Sequence, residues 1–265
     1  MFLLHLLLVL VPSQSTLFHP TIGGSPIQAC RTLSSLGQGL IYLGSTSECE
    51  ESSLIVIKCD KHGSLEREFN ISREIVPISS LVYETVFEAS RPLQICFTMK
   101  FLGPNLATIR DKNPATVWPW SAVAFLGTRI VEQLALVHQS GYAHRDLHFG
   151  NIVASDHNVT DLLSVMSQNL VIIDFGDAVR IDEVDKSLMR SDLLQVLVAL
   201  RYLVDGDYRY YVEKRYGFNP KTAMGARGIC IDSPAAYCEL LTYVFKLKPK
   251  QIPDYGFVLS QLSDM

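Results

Sequence analysis

Two short motifs constrain this chain more than anything else in it. The first is His144-Arg145-Asp146-Leu147-His148-Phe149-Gly150-Asn151, and the second is Asp174-Phe175-Gly176 behind the apolar run Leu170 to Ile173. Strand-like Ile152, Val153 and Ala154 follow the first motif directly, and residues 155–168 make a polar excursion before the second. The pattern reads as two buried strands, each carrying a polar loop at one end. Its chemistry is that of phosphoryl transfer. Asp146 stands where a carboxylate can accept the proton of an attacking hydroxyl, and Asn151, five positions on, where an amide oxygen can ligate magnesium. Asp174, at the exit of a buried strand, is a second metal ligand. Charge spreads over the phosphoryl oxygens in the transition state, so oriented oxygens and fixed cations matter more than a covalent nucleophile. Either tripeptide alone is commonly no more than a turn; the two in order, each beside its strand, form a site pattern.

The rest of the chain supplies an α+β frame for that pattern. Leu33 to Gly44 reads as strand, turn, strand, with Gly37 and Gly39 in a hairpin where backbone N–H groups could approach phosphates. Ser34 and Leu36 stand where further glycines are expected, so the hairpin taken alone is a weak signal. Leu54-Ile55-Val56-Ile57-Lys58 alternates as a strand ending in a lysine, which can hold phosphates if a helix carboxylate orients it. The helical stretch Ser64 to Ile75 offers Glu68 and Glu74; Glu68 is preferred because Phe69, Ile71 and Ile75 lie at helical spacing beside it. Ile95 to Leu102 reads as a strand breaking at Gly103-Pro104, where two lobes would connect. Val123, Leu126, Ile130, Leu134 and Val137 recur at steps of three and four, which predicts an amphipathic helix over 121–138 leading into the His144 loop. Asp192 opens another apolar helix only sixteen positions after Gly176, and helices are expected over 233–245 and near 258–262.

Bulk properties exclude little. With 48% hydrophobic and 19% charged residues over 265 positions and a net charge of -4, nothing drives the chain toward nucleic acid or anionic membrane. Residues 2–11 are apolar apart from His5 and precede Ser13-Gln14-Ser15, which resembles a signal peptide over 1–15 cleaved after Ser15. That stretch is too short to span a bilayer, so no membrane span is expected there. The alternative is an N-terminal extension on a cytoplasmic protein, with 16–30 an extension in either case. Six cysteines without C-x-x-C spacing exclude the usual zinc and redox motifs, and Cys59 and Cys96 are expected to be small core residues. The sequon Asn158-Val159-Thr160 lies in a polar loop and would take a glycan in the secretory pathway.

With these residues in view, the chain from about residue 31 onward resembles the eukaryotic protein kinase superfamily. Within that superfamily it is most similar to the casein kinase 1 family, through Gly39 to Gly44, Met99-Lys100-Phe101-Leu102-Gly103-Pro104-Asn105-Leu106, Ser233 to Tyr237 and Ile252 to Tyr255. The resemblance implies a bilobal α+β fold, with a β-rich N-lobe over 31–99, a hinge at 100–104 and a mainly helical C-lobe over 105–265. It implies ATP and Mg2+ as cofactors and a protein hydroxyl, on serine or threonine, as substrate. Gly37, Gly39, Ile41, Lys58, Met99, Lys100, Phe101 and Leu102 would contact the nucleotide, Met99 as gatekeeper. Lys58 and Glu68 would pair, Asp146 would be the base, and Asn151 and Asp174 would hold metal. Two departures matter. His148 stands where lysine is usual, in a D-L-H-x-G-N form similar to haspin-like and small-molecule kinases, and no Ala-Pro-Glu element follows Gly176. They keep two alternatives open: a pseudokinase acting as a regulatory or scaffold module, and a kinase for a small molecule. Neither the substrate's identity nor the oligomeric state follows from the sequence.

Overall fold

The computed structural model describes residues 17–22, 25–34, 39–47, 49–50, 54–60, 64–75, 78, 81–89, 94–113, 117–181, 186–205, 230 and 232–265. The leader reading of residues 1–15 and the nucleotide-contact reading of Gly37 lie outside them. The chain divides into two compact units, one of residues 1–63 with 83–99 and one of 64–82 with 100–265.

The first unit is a β-sheet. Its strands are β1 (Leu17–Ile22), β2 (Ser25–Ser34), β3 (Gly39–Ser45), β4 (Leu54–Asp60), β5 (Val82–Ala89) and β6 (Gln94–Lys100), in the order β1-β2-β3-β4-β6-β5. Residues 16–30, read from sequence as an extension, thus supply β1 and part of β2. Neighbours from β1 to β4 run antiparallel. β4 alternates as its sequence requires, Ile55, Ile57 and Cys59 turning inward to a core shared with Ile27 and Cys96. Each such side chain contributes about 1.5–3 kcal/mol by leaving water. Cys59 and Cys96 are fully buried as expected, and they are also bonded to each other; Cys30 is bonded to Cys49. The core expectation left their pairing open; β4 and β6 are neighbours in the sheet, which brings the two sulfurs together.

The second unit is mainly helical, so the chain as a whole has the α+β composition of a bilobal kinase-like fold. Its elements are α1 (Ser64–Glu74), α2 (Leu106–Lys112), α3 (Trp120–Gln139), β7 (Tyr142–Ala143), β8 (Ile152–Ala154), α4 (Leu162–Met166), β9 (Leu170–Ile172), β10 (Val179–Arg180), α5 (Ser187–Asp205), α6 (Ala235–Lys246) and α7 (Tyr255–Ser263). The stripe Val123, Leu126, Ile130, Leu134 and Val137 is at most 1% exposed, and α3 packs on α5 and α7. By length and composition α3 alone among the described helices could cross a membrane; here its apolar face is core. Polar side chains set several helix starts: Asn105 Oδ1 accepts from Thr108 N, Asp254 Oδ1 from Phe257 N, and Asp161 forms a capping box with Ser164. Two sequence boundaries move. The polar excursion 155–168 contains α4, and α5 starts five residues before Asp192, which is therefore inside the helix. The segment after β6 docks on β8, with Gly103 N donating to Ala154 O and Ala154 N to Pro104 O. A Cβ at Gly103 would fall 1.9 Å from the Asp156 carbonyl oxygen, so the Gly-Pro break is needed for this close approach.

Candidate active site

The loop joining β7 to β8 is held in an unusual backbone shape by side chains from α5. Arg145 has φ 71°, a left-handed conformation that costs a non-glycine residue about 1–3 kcal/mol. Fully buried Asp192 offsets that cost by accepting from His144 N at 2.7 Å and Arg145 N at 2.8 Å. Gln195, one turn along α5, donates to Arg145 O at 2.8 Å and accepts from Leu147 N at 2.9 Å. Asp192 Oδ2 also meets His138 Nε2 of α3 at 2.9 Å, and the other nitrogen of that ring bonds Tyr255 of α7. A charged carboxylate is costly to bury, and three hydrogen bonds supply the required compensation.

Within the loop, the candidate base and amide meet. Asn151 Nδ2 donates to Asp146 O at 2.9 Å and to Asp146 Oδ2 at 3.3 Å, leaving Asn151 Oδ1 as the side chain's acceptor. Asn151 is buried, whereas the Asp146 side chain is half-exposed. His148 lies with Nε2 3.6 Å from Asp146 Oδ2.

The second motif is tied to the first through backbone and ring contacts. Ile173 N donates to Asn151 O at 2.9 Å, and His144 Nε2 bonds Ile173 O at 3.0 Å while its ring packs against Phe175 with centroids 4.9 Å apart. Burial holds the His144 imidazole below its ordinary range, opposed in part by the Ile173 carbonyl and by the charges of Asp192, Asp174 and Asp146. Asp174 is exposed and also left-handed, with φ 67°, and Phe175 is buried beneath it. Both Asp174 Oδ1 and Glu68 Oε2 come within 3.5 Å of where a Cβ would sit on Gly176, so the Glu68 carboxylate faces this turn. Glu74, the carboxylate passed over in the sequence, is engaged elsewhere: it accepts from the Tyr142 hydroxyl at 2.6 Å and pairs with Arg180 at 2.7 Å.

The remaining candidates are placed as follows. Lys58 lies on β4 directly opposite Ile41 of β3, with Gly39 opposite Asp60, so Lys58 and Ile41 share a face of the first unit's sheet. Met99 is part-buried near the end of β6. In the second unit Lys100 donates its N–H to Leu81 O at 2.8 Å, Phe101 stacks on His157, and Leu102 is buried. The residues that the sequence reading missed are Asp192, Gln195, His138 and Gly150. An acid amid the apolar run from Leu193 to Leu203 was the available signal for the first; the others carry none.

Among the described residues no group of three or more His, Cys, Asp or Glu converges to hold an ion unaided. The Asn151 and Asp174 pair still suits magnesium, which takes one or two protein oxygens and completes its shell with water and phosphate. The Asn151 amide fits best, because its Nδ2 is committed to Asp146 and only Oδ1 is left to turn outward.

No family model matches the chain. It is 22% identical over 189 residues to a probable serine/threonine-protein kinase of Dictyostelium discoideum, a match spanning 63% of this chain and 38% of that protein. The chain therefore covers well under half the length of that relative, and the similarity is to a protein kinase.

Proposed function

We propose that the protein is an ATP- and Mg2+-dependent phosphotransferase acting on a serine or threonine hydroxyl of protein, of a kind resembling casein kinase 1. The observation that carries this reading is the Asn151 amide bridging to both the carbonyl and the carboxylate of Asp146, in a loop that Asp192 and Gln195 hold in a costly backbone shape. A loop merely closing a turn would not need four outside hydrogen bonds. Asp146 accepts the hydroxyl proton as the phosphoryl group departs from ATP; Asn151 Oδ1 and Asp174 hold the cation, which when bound neutralises phosphate charge. Lys58, oriented by Glu68, would hold the α and β phosphates, with Gly37, Gly39, Ile41 and residues 99–102 around the nucleotide. In an assay of ATP turnover with magnesium, Asp146→Ala should lower kcat at least about a thousandfold with nucleotide affinity changed less than threefold. A wild-type protein that binds no nucleotide would sink the proposal.

A second reading is favoured by one feature: α5 begins at Ser187, so little chain follows Gly176 in which to build a peptide-docking segment. A small-molecule hydroxyl then replaces the protein substrate, and turnover responding to metabolites but not peptides would select it. We also place the chain in the secretory pathway. Two disulfides in the first unit suit an oxidising compartment, and Asn158 is an exposed sequon. N-terminal sequencing of the mature protein should begin at Thr16; a retained Met1 would reject the assignment.

A further inference from the structure

The His148 side chain folds back onto the backbone of its own loop. It caps the 3-10 turn Phe149–Asn151, and its Nδ1 accepts the Gly150 N–H at 2.9 Å. An imidazole nitrogen that accepts carries no proton, so the neutral ring keeps its single proton on Nε2. Nε2 is the nitrogen that faces Asp146 Oδ2, at 3.6 Å. Asp146 Oδ2 is thereby bracketed by two N–H groups, those of Asn151 and His148.

What lets the ring fold back is the absence of a side chain at position 150. A Cβ there would lie 2.5 Å from His148 Cε1 and 2.8 Å from Nδ1, both far inside contact distance. Gly150 does not have a left-handed φ, so alanine suits its backbone and would collide only with the movable imidazole. Conformational freedom is therefore not the reason for glycine at this position. The vacancy over its Cα is where the ring sits.

We infer that Gly150 is a positioning residue, which seats the His148 imidazole as an Nε2–H donor beside Asp146 and so supplies, without a fixed positive charge, the donor that lysine provides elsewhere. The inference deepens the phosphotransferase reading and rests on it for its kinetic consequence, while its structural content stands alone. In that reading Nε2–H is available both to Asp146 and to a phosphoryl oxygen leaving ATP. A group displaced by about 1 Å at such a site can cost about a hundredfold in rate.

The experiment uses the full chain, labelled with 15N-histidine, as wild type, Gly150→Ala, His148→Ala and the double variant. The His148→Ala spectrum identifies the His148 ring signals by their loss. In wild type at pH 8 those signals should report a proton on Nε2 and an acceptor Nδ1, and in Gly150→Ala that tautomer should give way to a mixture. In the ATP assay Gly150→Ala should lower kcat about tenfold or more with KM for ATP changed less than about threefold, and should have no further effect when added to His148→Ala. A wild-type proton on Nδ1, a tautomer unmoved by Gly150→Ala, or an equal kcat loss on the His148→Ala background would each overturn the inference. If wild type turns nothing over, the proposed activity fails, and the tautomer measurement decides this inference by itself.

Discussion

His144 shows how a single side chain can serve stability and site geometry together. Its ring is enclosed by Phe175 and by the Ile173 carbonyl, and burial makes protonation harder in the folded chain than in the unfolded one. A depressed folded value gives stability that is full above the ordinary 6.5 and is lost as pH falls below it toward the folded value. Urea midpoints measured from pH 7.5 to 5 should therefore decline below about pH 6.5. His144→Phe should be less stable at pH 7.5 by about 1–2 kcal/mol, through loss of the Ile173 bond, and should show a shallower decline. Identical slopes for the two proteins would remove His144 as the source. Nearby, Arg145 and Asp174 adopt positive φ, and for Arg145 the restraint is visible as the pair of side chains from α5.

Among the elements, β2, β4 and β6 carry the covalent links. Cys59–Cys96 joins β4 to β6, and Cys30 of β2 is tied to Cys49 just beyond β3. A native disulfide commonly contributes about 2–4 kcal/mol. Both lie in the sheet unit, so reduction should act there first. In hydrogen exchange read by mass spectrometry, adding a reductant should speed exchange in β2, β3, β4 and β6 while leaving α3, α5 and α7 protected. Equal loss of protection in the helices would contradict that division. Cysteine pairing of this sort is not readable from spacing, since six cysteines allow 15 complete connectivities; Cys59 and Cys96 were legible only as apolar strand residues. Helix α3 was legible nearly end to end, because a stripe of Val123, Leu126, Ile130, Leu134 and Val137 has a single burial solution.

Across the whole molecule, what sequence reveals follows the range of the interaction concerned. Asp146, Asn151 and Asp174 could be located because each sits beside a strand a few residues away, and the strands β8 and β9 pair with one another. The Ser64 helix and the Glu68 choice were likewise local readings. Asp192 was not, since its partners His144 and Arg145 lie 48 and 47 positions earlier and its bond to His138 spans 54. Gly150 was hidden for a different reason: the motif supplies a glycine, and only coordinates reveal a ring occupying the space above it. Strands β1 and β2 were not legible before residue 31 because their pairing is with each other and with β3, which no local pattern announces.

The bond from Tyr255 to His138 has a consequence for anyone trimming this protein to a minimal fragment. Through His138 and Asp192, the hydroxyl of a helix near the C-terminus is a third-hand neighbour of the Arg145 amide. A fragment ending before residue 255 would keep both motifs of the candidate site, 144–151 and 174–176, and still lose the far buttress of the loop between β7 and β8.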